Sequence, residues 1–188
     1  MEAFSDGVIA IVITVMVLEL SVPHEPTWGA LRGVVPSLLT YLLSFVYLGI
    51  YWNNHHHMLQ AVRRIDGTVL WANMHLLFWL SLIPFVTAWM GQNHFASAPT
   101  TAYGVVLLLA AVAYALLQQR LIGANGPGSS LRRAVGADLK GRLSPALYAV
   151  AIVAALAGAR WLADVLYVLV ALMWLVPDRR IETTLSER

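Results

Sequence analysis

Residues 2–20 decide the fold: Glu2-Ala3-Phe4-Ser5-Asp6-Gly7-Val8-Ile9-Ala10-Ile11-Val12-Ile13-Thr14-Val15-Met16-Val17-Leu18-Glu19-Leu20. A helix that crosses a bilayer needs roughly 17–25 mostly apolar residues. The run from Phe4 to Leu20 meets that need, with one carboxylate near its start and one near its end. No basic segment precedes it, Asp6 comes early, and Leu18-Glu19-Leu20 is not a small-residue cleavage site. The run is therefore expected to be a resident helix and not a cleaved signal peptide.

Outward from this stretch the composition is of the same kind. Of the 188 residues, 59% are hydrophobic and only 12% charged, about half the charge of a soluble domain. Mean hydropathy is +0.69. So few charges cannot cover a soluble surface, which makes lipid the solvent for most of the chain. No cysteine is present, so disulfides, thiolate metal sites and cysteine nucleophiles are excluded. The net charge of +2 and the absence of a Lys/Arg run exclude a nucleic-acid surface.

Five further apolar stretches follow: Val34 to Trp52, running on through the histidines to Leu59; Thr68 to Met90; Thr101 to Leu117; Leu143 to Ala159; and Trp161 to Val176. Pro23-His24-Glu25-Pro26, Gln92 to Pro99, and Gly123 to Ser130 separate them, and Gly158-Ala159-Arg160 predicts a tight hairpin between the last two. The expected fold is an all-α integral membrane protein, one domain over 1–188, with six transmembrane helices per chain. With the N-terminus in the cytoplasm, Arg63, Arg64, Arg120, Arg132, Arg133, Lys140, Arg142, Arg179, Arg180 and Arg188 fall inside. Only Arg32 and Arg160 fall outside, which predicts cytoplasmic N- and C-termini.

Polar residues inside such spans mark function or packing. For Asp6 two readings are open: an N-terminal helix residue favoured by the helix dipole at headgroup level, or a member of a buried network that fixes one helix to its neighbours. Ile11, Val15 and Leu18 lie at i, i+4 and i+7 on one face, with Thr14 beside it. Ordinary packing or lipid contact and a narrow pore lining that closes by dewetting are both compatible with that stripe. In Trp52-Asn53-Asn54-His55-His56-His57 the three histidines turn about 100° apiece, so they cannot share a face, and a zinc site is disfavoured. One or two of them are expected to point into the bundle and bond to carboxylates. Asn73 is placed to bond between helices, and Pro84 to kink its helix. Thr100-Thr101-Ala102-Tyr103-Gly104 has a faint likeness to a carbonyl filter but lacks its middle glycine and opens a span. No nucleophile–base set is visible, so enzyme activity is not expected.

Phe4-Ser5-Asp6-Gly7-Val8-Ile9-Ala10-Ile11, followed by Thr14 and Val17-Leu18-Glu19-Leu20, resembles the first-helix signature of the transmembrane protein 175 potassium channels. Trp52 with Asn54, His55 and His56, then Asn73 and Pro84, resembles that family's second and third helices. The family's arginine four residues before the phenylalanine has its counterpart position before Met1. The resemblance implies a homotetramer in a prokaryotic plasma membrane, with four copies of the first helix around a central pore. It implies Ile11, Val15 and Leu18 at the constriction, Thr14 in cation selectivity, and Ser5, Asp6, Trp52, His55, His56 and Asn73 in a structural polar network. The implied function is leak-like conduction of K⁺ over Na⁺ with modest selectivity, with K⁺ and the lipid bilayer as partners and no cofactor or metal. A proton-coupled secondary transporter using Asp6 and the His55–His57 cluster is the alternative.

Overall fold

The structure, a computed structural model, describes residues 1–126, 128–129, 131–132 and 138–175. Arg133, Arg179, Arg180, Arg188 and Val176, which enter the expectations above, lie outside the described residues. Among the described residues the assigned elements are helices: α1 Glu2–Leu18, α2 Trp28–Gln60, α3 Gly67–Ser81, α4 Ile83–Gln92, α5 Ser97–Asn125, α6 Leu139–Leu156 and α7 Arg160–Leu175.

The helix ends follow local chemistry. Thr27 caps α2 by accepting from the Ala30 N–H at 3.2 Å, and Asp66 caps α3 by accepting from the Val69 N–H at 3.0 Å. The stretch expected as one span over 68–90 is two helices stacked end to end, broken at Leu82. Pro84, in the first turn of α4, is the cause: it has no N–H to donate and its ring would crowd the carbonyl four residues back. Glycines with positive φ follow α5 and α6, Gly126 at 83° and Gly158 at 84°; without a Cβ they adopt this backbone freely. Gly158 makes the hairpin that joins α6 to α7.

Four segments are long and apolar enough to cross a membrane: Trp28–Gln60, Gly67–Gln92, Ser97–Asn125 and Leu139–Leu156. Of the other two expected spans, α1 has 17 residues, about 25 Å at about 1.5 Å per residue against a hydrocarbon core of about 30 Å, and α7 runs 16 residues to the last described residue.

α5 sits centrally, packed on α3 and α6, and α6 packs on α7. Buried hydroxyls tie these helices to α2. Ser44 Oγ lies 2.6 Å from Thr87 Oγ1 and 3.0 Å from the Tyr103 hydroxyl, and the Tyr47 hydroxyl donates to the Tyr167 carbonyl at 2.6 Å. Tyr167 donates in turn to the Thr100 carbonyl at 3.0 Å. Gly104 makes this close approach possible, because a Cβ there would collide with the Tyr167 hydroxyl. The filter-like stretch Thr100–Gly104 is thus the start of helix α5, with Tyr103 buried in the core. α1 lies to one side, against α2, α3 and α4.

Candidate functional site

α1 presents two different faces. Ser5, Ile9, Val12 and Met16 are buried against the bundle. At about 100° per residue, Ile11 and Leu18 share a ridge on nearly the opposite side. They are 63% and 80% exposed, whereas Val15, on one flank of that ridge, is 38% exposed. Thr14 occupies the other flank, exposed, and its hydroxyl donates to the Ile11 carbonyl at 2.9 Å. With its proton turned back onto the helix, the oxygen lone pairs remain free. Val15 and Ile11 also line a groove of about 560 Å³ with Phe85 and Trp89 of α4.

The buried face carries a directed chain of hydrogen bonds from α1 through α3 to α2. Ser5, fully buried, donates to the Met1 carbonyl at 3.2 Å, so its oxygen must accept from the amide Nδ2 of Asn73, at 2.9 Å. The Asn73 Oδ1 is then the acceptor for His55 Nε2, at 2.7 Å. Each donor is used once, which places the proton of neutral His55 on Nε2. Its Nδ1 is buried without a partner. His55 therefore bonds to an amide, and the expectation of a carboxylate partner is corrected for this residue.

A second layer uses the same turn of α1, one residue further round the helix. Trp52 Nε1 donates to Asp6 Oδ1 at 3.0 Å. His56 Nδ1 is 2.9 Å from Glu2 Oε1, and the imidazole stacks on the Trp52 ring with centroids 5.7 Å apart. The amide N–H of Gln60 meets His56 Nε2 at 2.8 Å, which leaves the proton of a neutral His56 on Nδ1; that nitrogen stands at ion-pair distance from Glu2 without making a hydrogen bond. The two adjacent histidines thus hold opposite tautomers because successive residues of a helix face different neighbours. His57 makes an edge contact with His56 and has no hydrogen bond at Nδ1.

The six residues expected in a polar network fall into these two layers, Ser5–Asn73–His55 and Asp6–Trp52 with His56. Glu2 and Gln60 were missed. The signal for Glu2 was available: it stands four residues before Asp6, on the same face of α1. Glu2, Asp6 and His56 each place one ligand atom within 4.8 Å of the others. That is three of the four ligands a zinc ion uses, but Trp52 and Gln60 already engage Asp6 Oδ1 and His56 Nε2.

The backbone N–H groups of Arg63 and Arg64 both donate to Asn125 Oδ1 at 3.0 Å, which pins the α2–α3 loop to the end of α5.

Comparison with known proteins places the chain in a family. The model of the endosomal/lysosomal potassium channel TMEM175 family matches residues 1–84, a range that holds both polar layers and the Ile11–Leu18 ridge. A potassium channel of Chryseobacterium sp. (strain P1-3) is 48% identical over 187 residues, covering 100% of this chain and 97% of that protein. An endosomal/lysosomal proton channel TMEM175 of Danio rerio is 29% identical over 125 residues, 64% of this chain but 23% of that protein. The crystal structure of a lysosomal potassium-selective channel TMEM175 homolog from Chamaesiphon minutus superposes with a TM-score of 0.82 at 30% identity, covering 93% of this chain and 94% of that one. Identity along the whole length, the same helical fold and the family's first-helix residues together make this chain an integral membrane protein of the TMEM175 channel family.

Proposed function

We propose that four copies of this chain form a potassium-permeable channel, each crossing the membrane six times, with both termini in the cytoplasm and α1 lining the central pore. The observation that carries this is the outward ridge of α1, where Ile11 and Leu18 stand exposed opposite a face fixed by polar bonds. A ring of identical subunits brings one face of each to the symmetry axis. Four such ridges would form an apolar constriction, narrowest at Ile11 and Leu18 with Val15 between them, through which ions pass slowly and water retreats readily. Thr14, with its lone pairs free, supplies the selectivity of K⁺ over Na⁺. The layers Ser5–Asn73–His55 and Asp6–Trp52 fix the rotation of α1, so that the ridge and not its flank meets the axis. Permeation is passive and leak-like, down the electrochemical gradient.

The test is flux from liposomes holding the purified protein, in K⁺ and then Na⁺ gradients, with wild type and Ile11→Asn. K⁺-preferring flux that Ile11→Asn accelerates is expected, because a polar side chain wets the constriction. An intact tetramer that passes no cation would overturn the proposal.

A further inference from the structure

A partly open cavity of about 220 Å³ lies between α2, α5, α6 and α7, away from α1, with exposed Arg142 at its rim. Its walls are aromatic: Tyr47, Tyr51, Tyr114, Tyr148 and Trp174. The Tyr51 and Tyr114 rings meet edge to face, 6.0 Å apart, and neither hydroxyl has a hydrogen-bond partner among the described residues. Toward its polar end stand Gln118 and Arg142. Arg142 has no carboxylate within ion-pair distance and no hydrogen bond among the described residues. Asp138, also at this end, is already engaged, its Oδ1 accepting from the Gly141 N–H at 2.8 Å as the cap of α6. Asn54 spends its amide N–H on the Ile50 carbonyl at 2.8 Å.

The groups left open around this space are a guanidinium, which can only donate, and two phenols and a glutamine amide, which can donate or accept. An apolar pocket with a few convergent polar groups is the usual form of a small-molecule site. An engineered apolar cavity of about 150 Å³ takes benzene. This one is about half as large again, which leaves room for a ring and a carboxylate. We infer that the cavity binds a small aryl carboxylate, its ring among the tyrosines and its carboxylate on the Arg142 guanidinium. Arginine suits this role because its planar fork meets both carboxylate oxygens.

The probe is radiolabelled phenylacetate, with neutral phenylacetamide and cationic phenethylamine as controls, in equilibrium dialysis against the full-length protein in nanodiscs. Empty nanodiscs report partitioning into lipid. Saturable binding at one site per chain is expected, at least tenfold tighter for phenylacetate than for either control. Arg142→Gln, at an exposed position, should weaken it at least tenfold while the protein keeps its elution volume. Ala115→Leu fills the cavity and should abolish binding. Where that variant does not fold, Arg142→Gln decides alone. Non-saturable uptake, uptake that Arg142→Gln leaves unchanged, or a preference for phenethylamine overturns the inference.

Discussion

His55 and Asn73 are joined by a 2.7 Å bond from the imidazole Nε2 to the amide oxygen, and the same amide holds Ser5 of α1 through its nitrogen at 2.9 Å. One side chain of α3 thus ties the polar layer of α2 to the buried face of α1.

Asn73→Leu should be strongly destabilising. It leaves buried His55 without a partner, at about 1–3 kcal/mol, and leaves Ser5 only its bond to the Met1 carbonyl. Once it is made, Ser5→Ala should cost less than it does alone, since only the bond to the Met1 carbonyl is left to remove. Unfolding of both single variants and the double variant measures this coupling. Additive costs would mean that the three side chains do not act as one chain of bonds.

Gly104→Ala should destabilise the packing of α5 on α7 by about 1–3 kcal/mol, the usual range for overpacking. The added methyl group collides with the Tyr167 hydroxyl. Adding Tyr167→Phe should recover part of the loss, because it removes the colliding oxygen. A melting temperature unchanged by Gly104→Ala would show that the two helices are not held this close.

Thr14→Val tests selectivity separately from folding. The hydroxyl bonds only to its own helix at the Ile11 carbonyl, so stability should change by no more than about 0.5 kcal/mol. The ratio of K⁺ to Na⁺ flux should fall. A ratio equal to wild type would remove Thr14 from the selectivity mechanism.

Asp66 gives a pH prediction. Hydrogen bonds from the Thr68 hydroxyl and the Val69 N–H hold its carboxyl below the ordinary aspartate value of 3.8. A depressed value means that the folded state favours the charged form, so this contribution is complete above that pH and fades as the pH falls through the folded value. Asp66→Asn should keep a cap yet lose this acid dependence. Melting curves at successive pH values below neutrality, wild type against variant, would show the two converging as the aspartate protonates. Parallel curves would remove Asp66 from the acid response.

Much of this protein was legible in residue order alone. Apolar length and scarcity of charge determined a helical membrane protein, because a backbone in lipid must satisfy its own hydrogen bonds. The 100° step of a helix determined that His55, His56 and His57 diverge and that Ile11 and Leu18 share a ridge. Pro84 marked the break after α3. The pairings were not legible. Asn73 meets Ser5 across 68 residues and Trp52 meets Asp6 across 46, and no local periodicity says which helix stands against which. Choice of tautomer, the amide in place of a carboxylate at His55, the recruitment of Glu2 and Gln60, and the aromatic cavity around Tyr51 and Tyr114 all depend on how helices far apart in sequence are packed. Sequence sets what each helix can offer, and tertiary packing decides which offers meet.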